Sequence, residues 1–114
     1  MNITIEDKDS ARRLIRLEGR LDLNGHDKID DQLTEACTEG PMFIVLDISE
    51  LSFLATIGIR LIAMSARSQE ELGGKLVLSA PQPHIRRAIE ITGVDALVPI
   101  FDDTESALES VTIE

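Results

Sequence analysis

Aromatic side chains are nearly missing from this chain: Phe43, Phe53 and Phe101 are the whole set, with no Trp and no Tyr. A core must therefore be built from Leu, Ile, Val and Ala. Cations are also scarce, 11 Lys and Arg against 21 Asp and Glu, for a formal charge of −10. Lys/Arg runs stop at the pairs Arg12-Arg13 and Arg86-Arg87. Such a surface repels phosphate backbones, which argues against DNA or RNA as a partner, while it favours solubility and attraction to a basic protein. The single cysteine, Cys37, has no partner for an internal disulfide, so nothing points to an oxidising compartment. Long apolar runs are missing too. The longest stretch without a formal charge, Leu76 to Ile85, has ten residues and two prolines, about half of a membrane span. Met1 to Ser10 carries Glu6, Asp7, Lys8 and Asp9 and leads into no apolar run, unlike a signal peptide. The expectation is a cytoplasmic chain without membrane insertion. At 114 residues it should form one domain, 1–114, burying about two-thirds of its unfolded surface.

What is present alternates between two periods. Asn2–Glu6 and Arg13–Glu18 alternate like strands, the second with Ile15 and Leu17 as its better buried face, and the charged turn between them predicts a hairpin. Gly19–Gly25 reads as a polar connector. Ile29, Leu33, Ala36 and Cys37 then recur at helical spacing, with Asn24 as candidate N-cap and Gly40-Pro41 as the stop. Phe43–Ile48 is a near-continuous apolar run, as in a strand covered on both faces of a parallel sheet. A short segment, Ser49–Ala55, leads into a second helix with Ile57, Leu61, Met64 and Ser68 as its stripe, widened by Ile62 and Ala66 and closed by Gly73-Gly74. Lys75–Ala80 is a further strand. Ile85, Ala88 and Ile89 mark a short helix ended by Gly93, and Leu97–Phe101 a last strand, placed at a sheet edge by Pro99. Thr104–Val111 closes the chain as a helix. Strands alternating with helices at this spacing predict an α/β fold with a mostly parallel sheet.

Catalytic signatures do not emerge from this framework. Neither the dinucleotide glycine fingerprint nor the lysine-containing phosphate loop occurs, and Gly73-Gly74 stands after a helix, the wrong end for phosphate. His26 and His84 lie far apart, and Cys37 has no histidine at metal-ligand spacing. No G-x-S-x-G elbow is present. Cys37 falls on an apolar helical stripe and reads as a small core residue. An enzyme, a cofactor and a metal site are therefore not expected.

The junction Asp47–Ile59 remains. Thr56 stands where a helix should begin, and its hydroxyl has two readings. It can cap the helix by accepting a first-turn N–H. It can also carry a phosphate, which the positive helix end tolerates and which would place nearly two negative charges on a docking surface. Gly58, within the first turn, would let another backbone or a partner approach closely.

On these residues the sequence resembles the STAS domain family, whose members include bacterial anti-sigma factor antagonists. The marks are Leu17-Glu18-Gly19-Arg20-Leu21-Asp22, Ile44-Val45-Leu46-Asp47-Ile48-Ser49, Leu51-Ser52-Phe53, Gly58, Gly73 to Leu78, and Gly93. The resemblance implies a single STAS-like domain: a mostly parallel sheet of four to five strands, the first antiparallel, with about four helices. It implies a non-enzymatic protein that captures an anti-sigma factor, itself a Ser/Thr kinase of the histidine-kinase-like ATPase type, and so frees a sigma factor. Phosphorylation of Thr56 by that kinase would end the capture, and a phosphatase would restore it. Leu23, Asn24, Leu54, Ala55, Ile57 and Gly58 would form the partner surface. The sequence departs from the family pattern at Ala55, where an aspartate is usual, and at Ile57, where a small residue is usual. The alternative is a non-phosphorylated STAS scaffold, self-associating or serving as accessory subunit of a signalling complex or of a lipid-transport ABC complex.

Overall fold

The computed structural model describes residues 1–110. Its elements run β1 (Asn2–Asp7), β2 (Arg12–Leu21), α1 (Leu23–Ala36), β3 (Phe43–Leu54), α2 (Thr56–Leu72), β4 (Lys75–Ser79), α3 (Pro83–Thr92), a 3₁₀ turn (Val94–Ala96), β5 (Ile100–Phe101) and α4 (Thr104–Glu109). The strands form one five-stranded sheet in the order β1-β2-β3-β4-β5. Strand β1 is antiparallel to β2, and the other pairings are parallel. The expected fold class is observed. Val111, expected in the last helix, lies outside the described residues.

Each sheet face owes its cover to the alternation of side chains along the strands. Ile15 and Leu17 of β2, Ile44 and Leu46 of β3, and Leu76 and Leu78 of β4 point to one face, where Ile29 and Leu33 of α1, Ile62 of α2, and Ile85 and Ile89 of α3 meet them. Burying each such side chain stabilises the fold by about 1.5–3 kcal/mol relative to leaving it exposed. Leu14, Phe43, Val45 and Val77 point the other way and pack under Ala107 of α4. Leu14 is thus buried as well, because α4 returns to cover that side.

Four boundaries differ from expectation. Gly19–Gly25 is no connector: β2 continues to Leu21, and α1 starts at Leu23. A long partner strand supplies the reason, since β3 extends to Leu54 and holds β2 in register up to Leu21↔Leu54, with irregularities after Arg16 and Gly19. The segment Ser49–Ala55 is therefore strand except for its last residue. Asp22 caps α1 in place of Asn24, its carboxylate accepting from the Gly25 N–H at 2.9 Å. At the chain's end, the strand expected over Leu97–Phe101 shrinks to Ile100–Phe101, because Val94–Ala96 winds into the 3₁₀ turn.

The buried stripe of α2 is also rotated from the expected one. Gly58, Leu61, Ile62, Ser65 and Gln69 face inward, whereas Met64 is 56 % exposed. Hydrogen bonds make the polar members compatible with burial. The Gln69 amide donates to the carbonyls of Cys37 (2.7 Å) and Gly40 (2.9 Å) and accepts from Met42 N–H (2.8 Å), which ties the α1–β3 turn to α2. Ser65 donates to the Leu61 carbonyl. Cys37 is buried beside them, and burial raises its thiol pKa to about 11, far from the thiolate a nucleophile needs.

Candidate functional site at the paired helix starts

Strands β2 and β3 outrun the rest of the sheet. Strand β4 pairs with β3 only as far as Asp47↔Ser79, but the β2–β3 ladder continues to Leu21↔Leu54 and ends with the Ala55 N–H donating to the Leu21 carbonyl at 3.0 Å. Both strands then turn at once into helices. The starts of α1 and α2 consequently lie side by side on the raised tip of this two-stranded extension.

Both turns follow one local pattern, Leu21-Asp22-Leu23-Asn24-Gly25 and Leu54-Ala55-Thr56-Ile57-Gly58. In each, the second residue is the N-cap and the glycine lies in the first helical turn. A close approach explains both glycines. A Cβ at Gly25 would stand 2.1 Å from the Arg20 carbonyl oxygen, and one at Gly58 would stand 2.6 Å from Leu21 Cγ and 2.9 Å from a Leu54 methyl. The missing side chains let both helices close onto the end of β2.

The sequence-predicted residues separate into two sets. Leu23, Asn24 and Thr56 are exposed, and Ala55 and Ile57 are half-buried, so these five share the surface of the tip. Leu54 and Gly58 are buried beneath it. Gly58 meets the chain's own Leu21 and Leu54, which corrects its reading as an open approach for a partner. Thr56 is not the cap of α2 either. Ala55 holds that position with no side-chain hydrogen bond: the extended backbone ends at Ala55, tied to the Leu21 carbonyl, and the helix begins one residue earlier than the hydroxyl pattern suggests. The Gly58 and Ile59 N–H groups donate to the Ala55 carbonyl at 2.9 and 3.1 Å. Thr56 is the first helical residue, and its hydroxyl faces solvent at the positive end of α2.

The tip carries further side chains that the sequence alone did not place at this site. Arg20 and Phe53 are register partners across β2 and β3, and the guanidinium lies over the ring at 4.3 Å from its centroid, a contact worth about 0.5–1 kcal/mol at an exposed site. Alternation along the strand end could have revealed them, had the strands been carried past Glu18 and Ile48. His84 donates from Nε2 to the Ser52 carbonyl at 2.9 Å, and Gln82 donates to the Ser49 carbonyl at 3.1 Å, so the start of α3 braces the extension.

Charge is arranged unevenly here. The Gly25 N–H holds the Asp22 carboxyl below the usual carboxylate range, against an opposing effect of desolvation, and Arg20 adds to the lowering. At the base of the extension Asp47 is buried, which pushes its pKa up. Ser49 N–H and hydroxyl, Arg16 at 3.0 Å and the Thr104 hydroxyl outweigh that and lower it. Among the described residues no group of three or more His, Cys, Asp or Glu is placed to hold a metal ion, and no helix is long and apolar enough to cross a membrane.

Comparison with known proteins bears on this architecture. The anti-sigma F factor antagonist of Paenibacillus polymyxa is 26 % identical over 99 % of this chain and 98 % of its own. The crystal structure of an anti-sigma factor antagonist from Mycobacterium paratuberculosis superimposes with a TM-score of 0.86 at 23 % identity, covering 96 % of this chain and 92 % of that one. The phosphorylated form of the Bacillus cell fate determinant SpoIIAA gives a TM-score of 0.75 at 24 % identity, over 97 % of this chain and all (100 %) of that one. The sequence also matches the STAS domain over residues 2–107. With the antiparallel first strand, the parallel remainder and this match along nearly its whole length, the chain belongs to the STAS domain family.

Proposed function

We propose that this protein is a non-enzymatic anti-sigma factor antagonist acting in the cytoplasm. Its partner would be an anti-sigma factor that is also a Ser/Thr kinase of the histidine-kinase-like ATPase type, and binding would release a sigma factor. The observation that carries this reading is the exposed Thr56 at the uncapped start of α2, in a chain similar to named antagonists. A phosphate on Thr56 would add nearly two negative charges at the centre of the surface formed by Leu23, Asn24, Ala55 and Ile57. It would sit beside helix N–H groups that tolerate it, so the fold persists while a partner fitted to the unmodified tip is repelled. A phosphatase would restore binding. SpoIIAA, a structural neighbour, exists in a phosphorylated form, which supports the same kind of control here.

The experiment is an intact-mass measurement of the protein isolated from its own cells, before and after phosphatase treatment, with Thr56→Ala alongside. The expected result is one phosphate on the wild type, removed by phosphatase and missing from Thr56→Ala. An unmodified wild type under all growth conditions favours the second reading, a non-phosphorylated scaffold or accessory subunit. That reading draws on Ala55 and the half-buried Ile57, which leave the hydroxyl without a neighbouring carboxylate and beside an apolar side chain.

A further inference from the structure

Beyond its first residue, α2 keeps an exposed face that the core does not use. Arg60, Ala63, Met64 and Arg67 recur at helical spacing on that face, and Met64 is 56 % exposed. Across from them stands Leu97, just past the 3₁₀ turn and 66 % exposed. Between the two lies a groove of about 230 Å³, floored by Ala63 and Ala66 and flanked by Arg60 and Arg67.

Charge distinguishes this groove from the rest of the surface. The protein carries a formal charge of −10, yet both arginines here stand free: among the described residues neither lies within ion-pair distance of a carboxylate. They are seven residues apart, about 10 Å along the helix axis. Glu70, one turn further, also lines the groove and ends its cationic stretch. The hollow of about 230 Å³ adjoins a second of about 370 Å³ that shares Ala66, Glu70 and Leu97, so the groove runs on along α2 as a trough, a shape that suits apolar side chains seated in succession from a partner segment. An anionic membrane is a broad surface that would meet the acidic groups around the groove as well as its two arginines, and the formal charge of −10 disfavours it, whereas a single helix lying in the groove meets Arg60 and Arg67 with the more distant acids screened. Such a trough along a helix, with cations at a two-turn spacing, fits an amphipathic partner helix laid along α2.

We propose that this groove is a docking site for an acidic amphipathic helix of a partner protein. The helix would seat apolar residues at positions i and i+4 between Met64 and Leu97. Carboxylates seven residues apart would face Arg60 and Arg67. The proposal rests on the exposed face of α2 and holds whether or not Thr56 is phosphorylated.

Its test uses the full chain, isotope-labelled, titrated by NMR with a synthetic helical peptide bearing Leu at i and i+4 and Glu at a seven-residue spacing. A second peptide carries Lys in place of Glu. The expected result is saturable binding of the Glu peptide with shifts centred on Arg60, Met64, Arg67 and Leu97, and no binding of the Lys peptide. The double variant Arg60→Glu/Arg67→Glu changes exposed side chains and should stay folded, as its spectrum would verify. It should lose the Glu peptide by roughly tenfold or more in affinity and take up the Lys peptide instead. Failure of both peptides, equal binding of both, or shifts centred elsewhere would overturn the proposal. So would sedimentation showing that this face is closed by a second copy, or phosphatidylglycerol vesicles competing the Glu peptide away. None of these outcomes depends on Thr56, so the switch reading stands or falls separately.

Discussion

The starts of α1 and α2 are two versions of one device. Each follows a strand-ending leucine, places its cap one residue later and its glycine three residues beyond the cap. They differ at the cap. Asp22 gives α1 a carboxylate that accepts the Gly25 N–H, whereas Ala55 gives α2 a methyl group. One helix start is thus satisfied and carries negative charge. The other is left with only its own carbonyl geometry and an exposed hydroxyl. The difference teaches that the tip is stabilised at α1 and left open to added charge at α2.

Breaking the shared part of the pattern should have the largest effect. Gly25→Ala pushes a methyl into the Arg20 carbonyl, a backbone atom that cannot step aside, and should cost about 3 kcal/mol in a denaturation experiment. Gly58→Ala meets side chains instead. Helix propensity favours alanine equally at both sites, so the softer side-chain contacts at Gly58 set the difference and leave a net loss of about 1–2 kcal/mol there. Equal losses at the two sites would show that the backbone contact at Gly25 is not the tighter one.

The caps sharpen the comparison at smaller scale. Ala55→Asp copies the α1 arrangement and should raise stability by about 1 kcal/mol at neutral pH, read as an increase in Tm. No gain would mean that α2 cannot accept an α1-type cap. Asp22→Ala should lower Tm, with a definite pH signature. The folded-state pKa of Asp22 is depressed, so its contribution is complete above the unfolded aspartate value and is lost as pH falls through the folded one. Wild type and Asp22→Ala should therefore converge in Tm as the solution is acidified through that window. A gap that persists in acid would assign the loss to something other than the ionised cap. Asp47, also depressed, titrates in both proteins and so leaves the difference unaffected.

Much of this fold was legible because periodicity is a local signal. The near-continuous apolar run at Phe43–Ile48, the helical spacing of Ile29 and Leu33, and Pro99 beside an edge strand each report their surroundings directly. The strand ends were not legible. Whether Gly19–Leu21 and Ser49–Leu54 are strand depends on their pairing with each other, a long-range fact, and misplacing those ends moved the caps from Asp22 and Ala55 to Asn24 and Thr56. The inward side of α2 was hidden for a different reason. Ser65 and Gln69 look like solvent residues until Cys37, Gly40 and Met42 are seen to face Gln69. Thr56 was picked out by residue type and position alone, and Phe53 with Arg20 became visible only once their register was known.

The central claim is that charge at the open start of α2 governs partner binding. Its most direct test is quantitative mass spectrometry of proteins retained by tagged wild-type and Thr56→Glu baits in the source organism, after circular dichroism has verified that both are folded. The account predicts a small ATPase-type kinase on the wild-type bait and its loss from Thr56→Glu. Recovery of that kinase in equal amounts on both baits would contradict it.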